Sequence, residues 1–446
     1  MEVVHTPPPR RVTPLRVLAV VVVLLAVGGA ATWLWPRGDE PAGDATAAAH
    51  PSPAPAEDPD DPDDGDVDHD AGQTEIDRIA AQIAEVRRLD LQRPVEARFE
   101  PLAELVTRIE ALTGGEGGAT GSQDSRTRML ETLGLLPPGT DIAAALRTIY
   151  DETLIGFYVP AEERLYVNQS AEVMTPGNRW ASAHEVSHAL QDQHFDLGGL
   201  LDVEVGALDQ ELARTSLVEG DAVITQVTWA QRFLTSDEQA QLGDDTGPIG
   251  VSPEGRLFPY VVARFVFPYE AGPEFVAALL AAGHLEAVDE ALRHPPTTSA
   301  QILHPQRYLD GIEAVDVPMA ADPGDGWDPG RRDEFGEFDL RQLLDPVGVE
   351  RAADLATGWA GGQARSFTRG ADTAVGVGLV FDTAEQAGAL CAALPVWWAA
   401  SADGTIRGDG VGDSPDGWLA YRCTGTRVDL ARAPGEAAVR ALTERD

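Results

Sequence analysis

The stretch Ala183-His184-Glu185-Val186-Ser187-His188-Ala189-Leu190-Gln191-Asp192-Gln193-His194 decides how the rest of this chain is read. It contains H-E-x-x-H. On an α-helix, residues four apart share a face, so His184 and His188 can turn two imidazoles towards one metal ion. Glu185 stands beside the first histidine, within reach of a water on that ion, where a carboxylate can take a proton as general base. The plain alternative is two histidines sharing a helix face by coincidence. The chain has only nine histidines in 446 residues, and the spacing points to a zinc site.

Upstream, Gly156-Phe157-Tyr158-Val159-Pro160-Ala161-Glu162-Glu163-Arg164-Leu165-Tyr166-Val167-Asn168 sets two aromatic and β-branched runs around a Pro-containing turn, the pattern of a β-hairpin. A strand before a metal-bearing helix suits a sheet edge that holds an extended peptide by main-chain pairing; an ordinary structural hairpin has the same signature. Downstream, a helix is expected from about Leu208 to Phe233, carrying Leu217-Val218-Glu219-Gly220-Asp221-Ala222. A catalytic zinc takes three protein ligands and keeps one position for water. Glu219, on a face with Thr215, Ala222 and Val223, is the favoured third ligand. Asp221 is the competitor, but it points roughly 160° away from Glu219 on a regular helix. Gly220, between them, is small enough to let a second backbone approach closely.

These residues resemble the gluzincins, thermolysin-like zinc metallopeptidases with H-E-x-x-H on one helix and a glutamate on a later one. More narrowly, the chain is similar to a group of bacterial membrane-anchored metallopeptidases. That similarity is carried by Leu135-Leu136-Pro137-Pro138-Gly139-Thr140-Asp141, Gly156-Phe157-Tyr158, His184 to Leu197, and Glu219-Gly220-Asp221-Ala222. It continues through Phe267-Pro268-Tyr269 and Pro295-Pro296-Thr297-Thr298-Ser299-Ala300-Gln301-Ile302-Leu303-His304-Pro305, spanning roughly residues 76 to 345. The resemblance implies Zn2+ on His184, His188 and Glu219, Glu185 as catalytic base, and a peptide or protein substrate. The chain departs at Val159, where an acidic residue is expected after Gly-Phe-Tyr, which leaves the turn chemistry of the hairpin open.

Two polar clusters remain. Gln191, Asp192 and His194 continue the motif's helix and, like Asp221, are candidates to orient a ligand from behind; for Asp192 the alternative is packing and capping at the helix end. His304, Tyr308 and Tyr269 are candidates for the hydrogen-bond donor a zincin needs where negative charge develops on the carbonyl oxygen. Pro295-Pro296 and His304-Pro305 stiffen the loop that leads to the first two.

Further out, Arg10, Arg11 and Arg16 precede an uncharged run from Val17 to Trp35. At about 1.5 Å per residue the run covers roughly 28 Å, enough to cross a bilayer core. The flanking arginines favour a cytoplasmic N-terminus (1–16), with Trp33 and Trp35 at the far interface. A cleaved signal peptide is the alternative, because Gly29-Ala30-Ala31 offers small residues to a peptidase. Either reading puts the body outside the cytoplasm. Residues 36–75 are Pro/Ala-rich, with thirteen acidic residues and no arginine or lysine between Gly38 and Glu75, and are expected to be a disordered stalk. The formal net charge is −40 and there is no lysine, which disfavours nucleic acid as a partner. Cys391 and Cys423 are the only cysteines; outside the cytoplasm a disulfide is the natural pairing, with two separate thiols as the alternative.

The expected fold class is α+β: a mainly helical zincin-like catalytic domain (76–310) with a small antiparallel sheet, then a small C-terminal α+β subdomain (311–446). In the latter, Asp328-Pro329-Gly330 reads as a loop and Ala353 to Trp359 as a short helix. Thr373 to Phe381 reads as a strand, Glu385 to Leu394 as a helix, and Trp418 to Cys423 with Thr426 to Leu430 as a hairpin. Functionally the leading expectation is a membrane-tethered zinc peptidase. A catalytically inactive zincin-like receptor or scaffold of the cell envelope is the rival, against which the intact Glu185 argues.

Overall fold

The computed structural model describes residues 20–23, 65–114, 120–168, 174–245, 258–318 and 322–444. Of the expected membrane run only Val20–Val23 falls among them, as strand β1, and the acidic segment up to residue 64 lies outside them. Among the described residues no helix is long and apolar enough to cross a membrane. An N-terminal helix spans Gly65–Arg87, so the segment expected to stay irregular to residue 75 is helical from Gly65.

A small sheet has the order β1-β3-β4-β2, with β2 at Glu96–Glu100, β3 at Leu154–Val159 and β4 at Arg164–Asn168. β3 and β4 form the expected hairpin, pairing Gly156 with Val167 and Tyr158 with Leu165. Contrary to the antiparallel expectation, β2 runs parallel to β4. Three helices, Leu102–Gly114, Thr120–Leu133 and Ile142–Thr153, lie between β2 and the hairpin and give the chain the length a parallel crossover requires. Side chains alternate across the sheet: Tyr158, Leu165 and Val167 pack with Ile76, Ile79 and Ile83 of the N-terminal helix. Phe157, Val159 and Tyr166 pack on the other face with Leu105, Ile109 and Ile149. Val159 is thus a core position where the strand enters the Pro160–Glu162 turn, which accounts for its departure from an acidic residue.

The H-E-x-x-H helix runs from Pro176 to Phe195, begun by Thr175, whose hydroxyl accepts the Asn178 N–H, and closed by Asp196 in the left-handed region. It lies among the small sheet, the N-terminal helix and the Leu208–Phe233 helix, and is buried on nearly every side from Gly177 to Gln193. A helix enclosed in this way shows no amphipathic stripe, so its sequence is recognised by motif rather than by periodicity. The Leu208–Phe233 helix, here called the glutamate helix, packs backbone to backbone on the Pro259–Arg293 helix. A Cβ on Gly220 would stand 2.4 Å from the Gly272 carbonyl, and one on Gly272 would stand 2.2 Å from the Ser216 oxygen. The close approach expected at Gly220 therefore has its partner.

The C-terminal region is larger than expected. Its antiparallel sheet has seven strands in the order β5-β6-β7-β11-β10-β9-β8. These are Asp328–Glu334, Trp359–Arg369, Asp372–Phe381, Thr405–Ile406, Val411–Ser414, Gly417–Thr424 and Arg427–Ala433 for β5 to β11 in chain order. The expected loop at Asp328-Pro329-Gly330 opens β5; as an edge strand with a bulge between Pro329 and Arg332, it tolerates the proline. The expected helix to Trp359 stops at Ala356, and Trp359 opens β6. The final hairpin pairs β10 with β11, and Cys391 on the Ala384–Ala402 helix forms a disulfide with Cys423 on β10. The largest hydrophobic core joins Leu133, Leu217 and Phe275 to Phe338, Val375, Leu379 and Leu430, running across residue 310 without a break. The whole is an α+β fold.

Candidate metal centre

The HExxH helix and the glutamate helix bring His184, His188 and Glu219 together. One donor atom from each lies within 4.8 Å of the others, and all three residues are buried. His184 Nε2 is 3.0 Å from Glu219 Oε2, and His188 Nε2 is 3.5 Å from the same oxygen. The rings meet edge to face at 4.7 Å, as residues one turn apart on one helix face do.

The hydrogen bonds behind the rings fix which nitrogen faces the triad. Gln226 donates through Nε2 to the Trp180 carbonyl at 2.8 Å, so its oxygen is the atom 3.2 Å from His184 Nδ1. Gln191 donates through Nε2 to the Val218 carbonyl at 3.0 Å and to Asp221 Oδ2 at 2.8 Å, leaving its oxygen 2.9 Å from His188 Nδ1. An amide oxygen only accepts, so each neutral imidazole carries its proton on Nδ1 and presents a bare Nε2. His188 Nε2 has no hydrogen-bond partner. Two lone pairs and a carboxylate oxygen thus converge in a buried space. They repel one another unless a proton or a cation lies between them, and this donor set fits a divalent metal ion.

The titration of the cluster expresses the same demand for positive charge. Burial opposes ionisation of Glu219, yet the two imidazoles hold its carboxyl down to about 2. Burial also works against a charged His188, but the Glu219 and Glu185 carboxylates outweigh it and raise that imidazole above its ordinary value. At His184 burial prevails and the value falls. A proton on His188 meets the demand in part; a divalent cation meets it fully.

Glu185 is buried on the same helix, near enough for its charge to act on both His188 and Tyr269. Tyr269, on the Pro259–Arg293 helix, has its ring 6.3 Å from that of His184. Burial first, then the Glu219 and Glu185 charges, push its phenol well above the ordinary value, so it stays a neutral O–H donor. Its hydroxyl hydrogen-bonds Glu219 within the cluster, whereas the other two expected donors are engaged away from it. His304 is 2.9 Å from Glu337, and the Tyr308 hydroxyl donates to the His294 carbonyl at 2.8 Å while its ring packs on Phe275. The short Pro305–Leu309 helix directs Tyr308 to that contact.

Asp192 closes the helix end: it accepts the Leu197 N–H at 3.0 Å and the Tyr158 hydroxyl at 2.8 Å, and approaches no ligand. His194 meets the Asp90 carbonyl, also away from the triad. Asp221 does stand behind a member of the triad, His188, through Gln191, and is paired with Arg87 at 3.0 Å. Sequence reasoning missed Gln226 and Arg87. Gln226 had a signal, since it lies two turns after Glu219 on the same face. Arg87 had none, being 134 residues from its partner. No family model, curated protein or solved structure matches this chain.

Proposed function

We propose that this chain is a zinc-dependent peptidase of the gluzincin type, tethered by Val17 to Trp35 with its body outside the cytoplasm. The observation that carries the reading is the convergence of His184, His188 and Glu219 with Glu185 on the same helix. His184, His188 and Glu219 would hold the zinc, which would supply Lewis-acid polarisation of the peptide carbonyl and an acidified water. Glu185 takes a proton from the attacking water and passes it to the amide nitrogen as the C–N bond breaks. Tyr269, kept protonated by its surroundings, donates a hydrogen bond to the oxygen on which negative charge grows. Gln191 and Gln226 hold the two imidazoles in the tautomer that binds metal.

Glu185→Gln separates this reading from metal binding alone. It keeps size and hydrogen bonding but removes the base, so peptide hydrolysis should fall by at least the lower end of ~10²–10⁴ while zinc content is unchanged. A variant that cleaves a peptide library as fast as the parent would refute the mechanism. One observation favours a rival reading, a zincin-like scaffold that holds metal without turnover: His184, Glu185, His188 and Glu219 are each at most 3 % exposed. A zinc-loaded parent that cleaves nothing in the same digest would establish that rival. The anchor is tested separately, by whether an external protease releases the body from intact cells.

A further inference from the structure

The supports of His188 extend well beyond the motif that carries it. His188 Nδ1 donates to Gln191 Oε1 at 2.9 Å, and Gln191 Nε2 donates to Asp221 Oδ2 at 2.8 Å. Asp221 in turn faces Arg87, with Nε 3.0 Å from Oδ1 and 3.1 Å from Oδ2. Arg87 is the last residue of the N-terminal helix, and its Nη2 reaches Asp289 on the Pro259–Arg293 helix at 2.7 Å. Gln191, Asp221 and Arg87 are each buried to within a few per cent of full enclosure. A carboxylate so placed is expensive to keep without a counter-charge and firmly held with one.

We propose that Arg87 is a positioning residue for the metal centre: its guanidinium holds the Asp221 carboxylate in place, Asp221 and the Val218 carbonyl consume both N–H groups of Gln191, and the remaining amide oxygen fixes the proton of His188 on Nδ1. The N-terminal helix therefore contributes to the metal site although none of its residues touches the metal. Without Arg87, Asp221 is a buried anion whose one remaining side-chain donor is the Gln191 amide. It is then drawn towards water or another cation, and the amide that aligns His188 moves with it. Partners behind metal ligands are typically worth about 10–100-fold in metal affinity.

The inference rests on the triad being a metal centre, not on peptide cleavage, and its readout is affinity. The measurement is the zinc dissociation constant of the full chain by chelator competition, with the visible spectrum of the Co2+-substituted protein as a report on ligand geometry. Arg87→Met should weaken zinc by about 10–100-fold and alter the cobalt spectrum. Arg87→Lys keeps a cation opposite Asp221 and should recover most of the affinity. Asp289→Asn removes the other Arg87 partner without touching the relay, and should leave affinity unchanged.

Equal affinity of Arg87→Met and the parent would overturn the proposal. So would an Asp289→Asn variant weakened as much as Arg87→Met, because Arg87 would then be acting only as a clamp between helices. Should Arg87→Met fail to fold, Gln191→Leu decides: it should weaken zinc in the same range, and unchanged affinity would overturn the relay. A parent that binds zinc and cleaves nothing removes the peptidase reading and leaves this one standing. A parent that binds no zinc removes both.

Discussion

Asp221 and Asp209 sit on the same helix, about 18 Å apart along its axis, and both are 2 % exposed. Their surroundings are opposite. Asp221 faces the Arg87 guanidinium and accepts from Gln191, so its charge is compensated. Asp209, at the start of the helix, accepts the Ser299 N–H at 3.0 Å through Oδ2, but Oδ1 has no donor. Burial is the main cause that pushes its carboxyl up to about 8; Asp339 and Glu334 add to the rise and the Ser299 hydrogen bonds oppose it. Arg264 lies close enough to feel Asp209 yet does not reverse the shift. Equal burial thus leaves one carboxylate against a guanidinium in the middle of the helix and the other holding its proton at the helix start. Partners, rather than depth, make the difference.

The comparison breaks most sharply at Asp221. Asp221→Ala leaves Arg87 buried with a single partner, and should cost about 3–5 kcal/mol in urea unfolding together with a loss of zinc affinity. Its effect on zinc should still be smaller than that of Glu219→Ala, which removes one of the three donors of the triad. An equal or greater loss at Asp221 would show that the wrong carboxylate has been assigned to the metal.

Asp209 gives the next effect, through pH. Its folded-state value lies above that of an unfolded aspartate, so the folded chain holds an extra proton between about 4 and 8. The stabilisation is complete below the unfolded value and is lost as pH rises through the folded one. Unfolding free energy should therefore fall by roughly 2 kcal/mol between pH 6 and 8 in the parent and stay nearly level over that window in Asp209→Asn. Parallel curves for the two proteins would mean that Asp209 does not hold the extra proton.

The smallest effect comes from the residue beside Asp221. Gly220→Ala gains helix propensity but drives a methyl into the Gly272 backbone, for a net cost of roughly 1–2 kcal/mol. Because that contact is local, zinc affinity should drop while the pH dependence carried by Asp209 is retained. Loss of both would show that the middle of the helix is coupled to its start.

The readable and unreadable parts of the chain divide along lines of range. His184, His188 and Glu219 come together because helical periodicity is local and each helix reports its own faces. The β3–β4 hairpin was legible for the same reason, its alternation being complete within one short stretch. Arg87 and Asp289 belong to contacts made by packing, 134 and 202 residues apart in sequence, and no spacing rule announces them, whereas Gln226 is placed by its helix face alone. Tyr269 could not be separated from His304 and Tyr308, since all three offer a donor and only tertiary structure decides which faces the triad. β5 and β6 were hidden by their own composition. Pro329 breaks the strand pattern of one, and Gly361-Gly362 that of the other. Those glycines are needed because Cβ atoms there would stand 2.4 Å from the Val315 oxygen and 2.3 Å from that of Phe335.

The position of Arg87 also sets a clock. Its two partners lie 134 and 202 residues further along the chain, and closing the shorter of these loops alone costs roughly 4 kcal/mol of chain entropy. Contacts of such range form late, after local helices and hairpins have already gained most of their structure. During synthesis the H-E-x-x-H helix is complete long before residue 289 has emerged, and at that moment it offers an ion two imidazoles and little else. Tight zinc uptake during refolding should accordingly follow the main rise in helical signal, arriving with the slowest phase of folding.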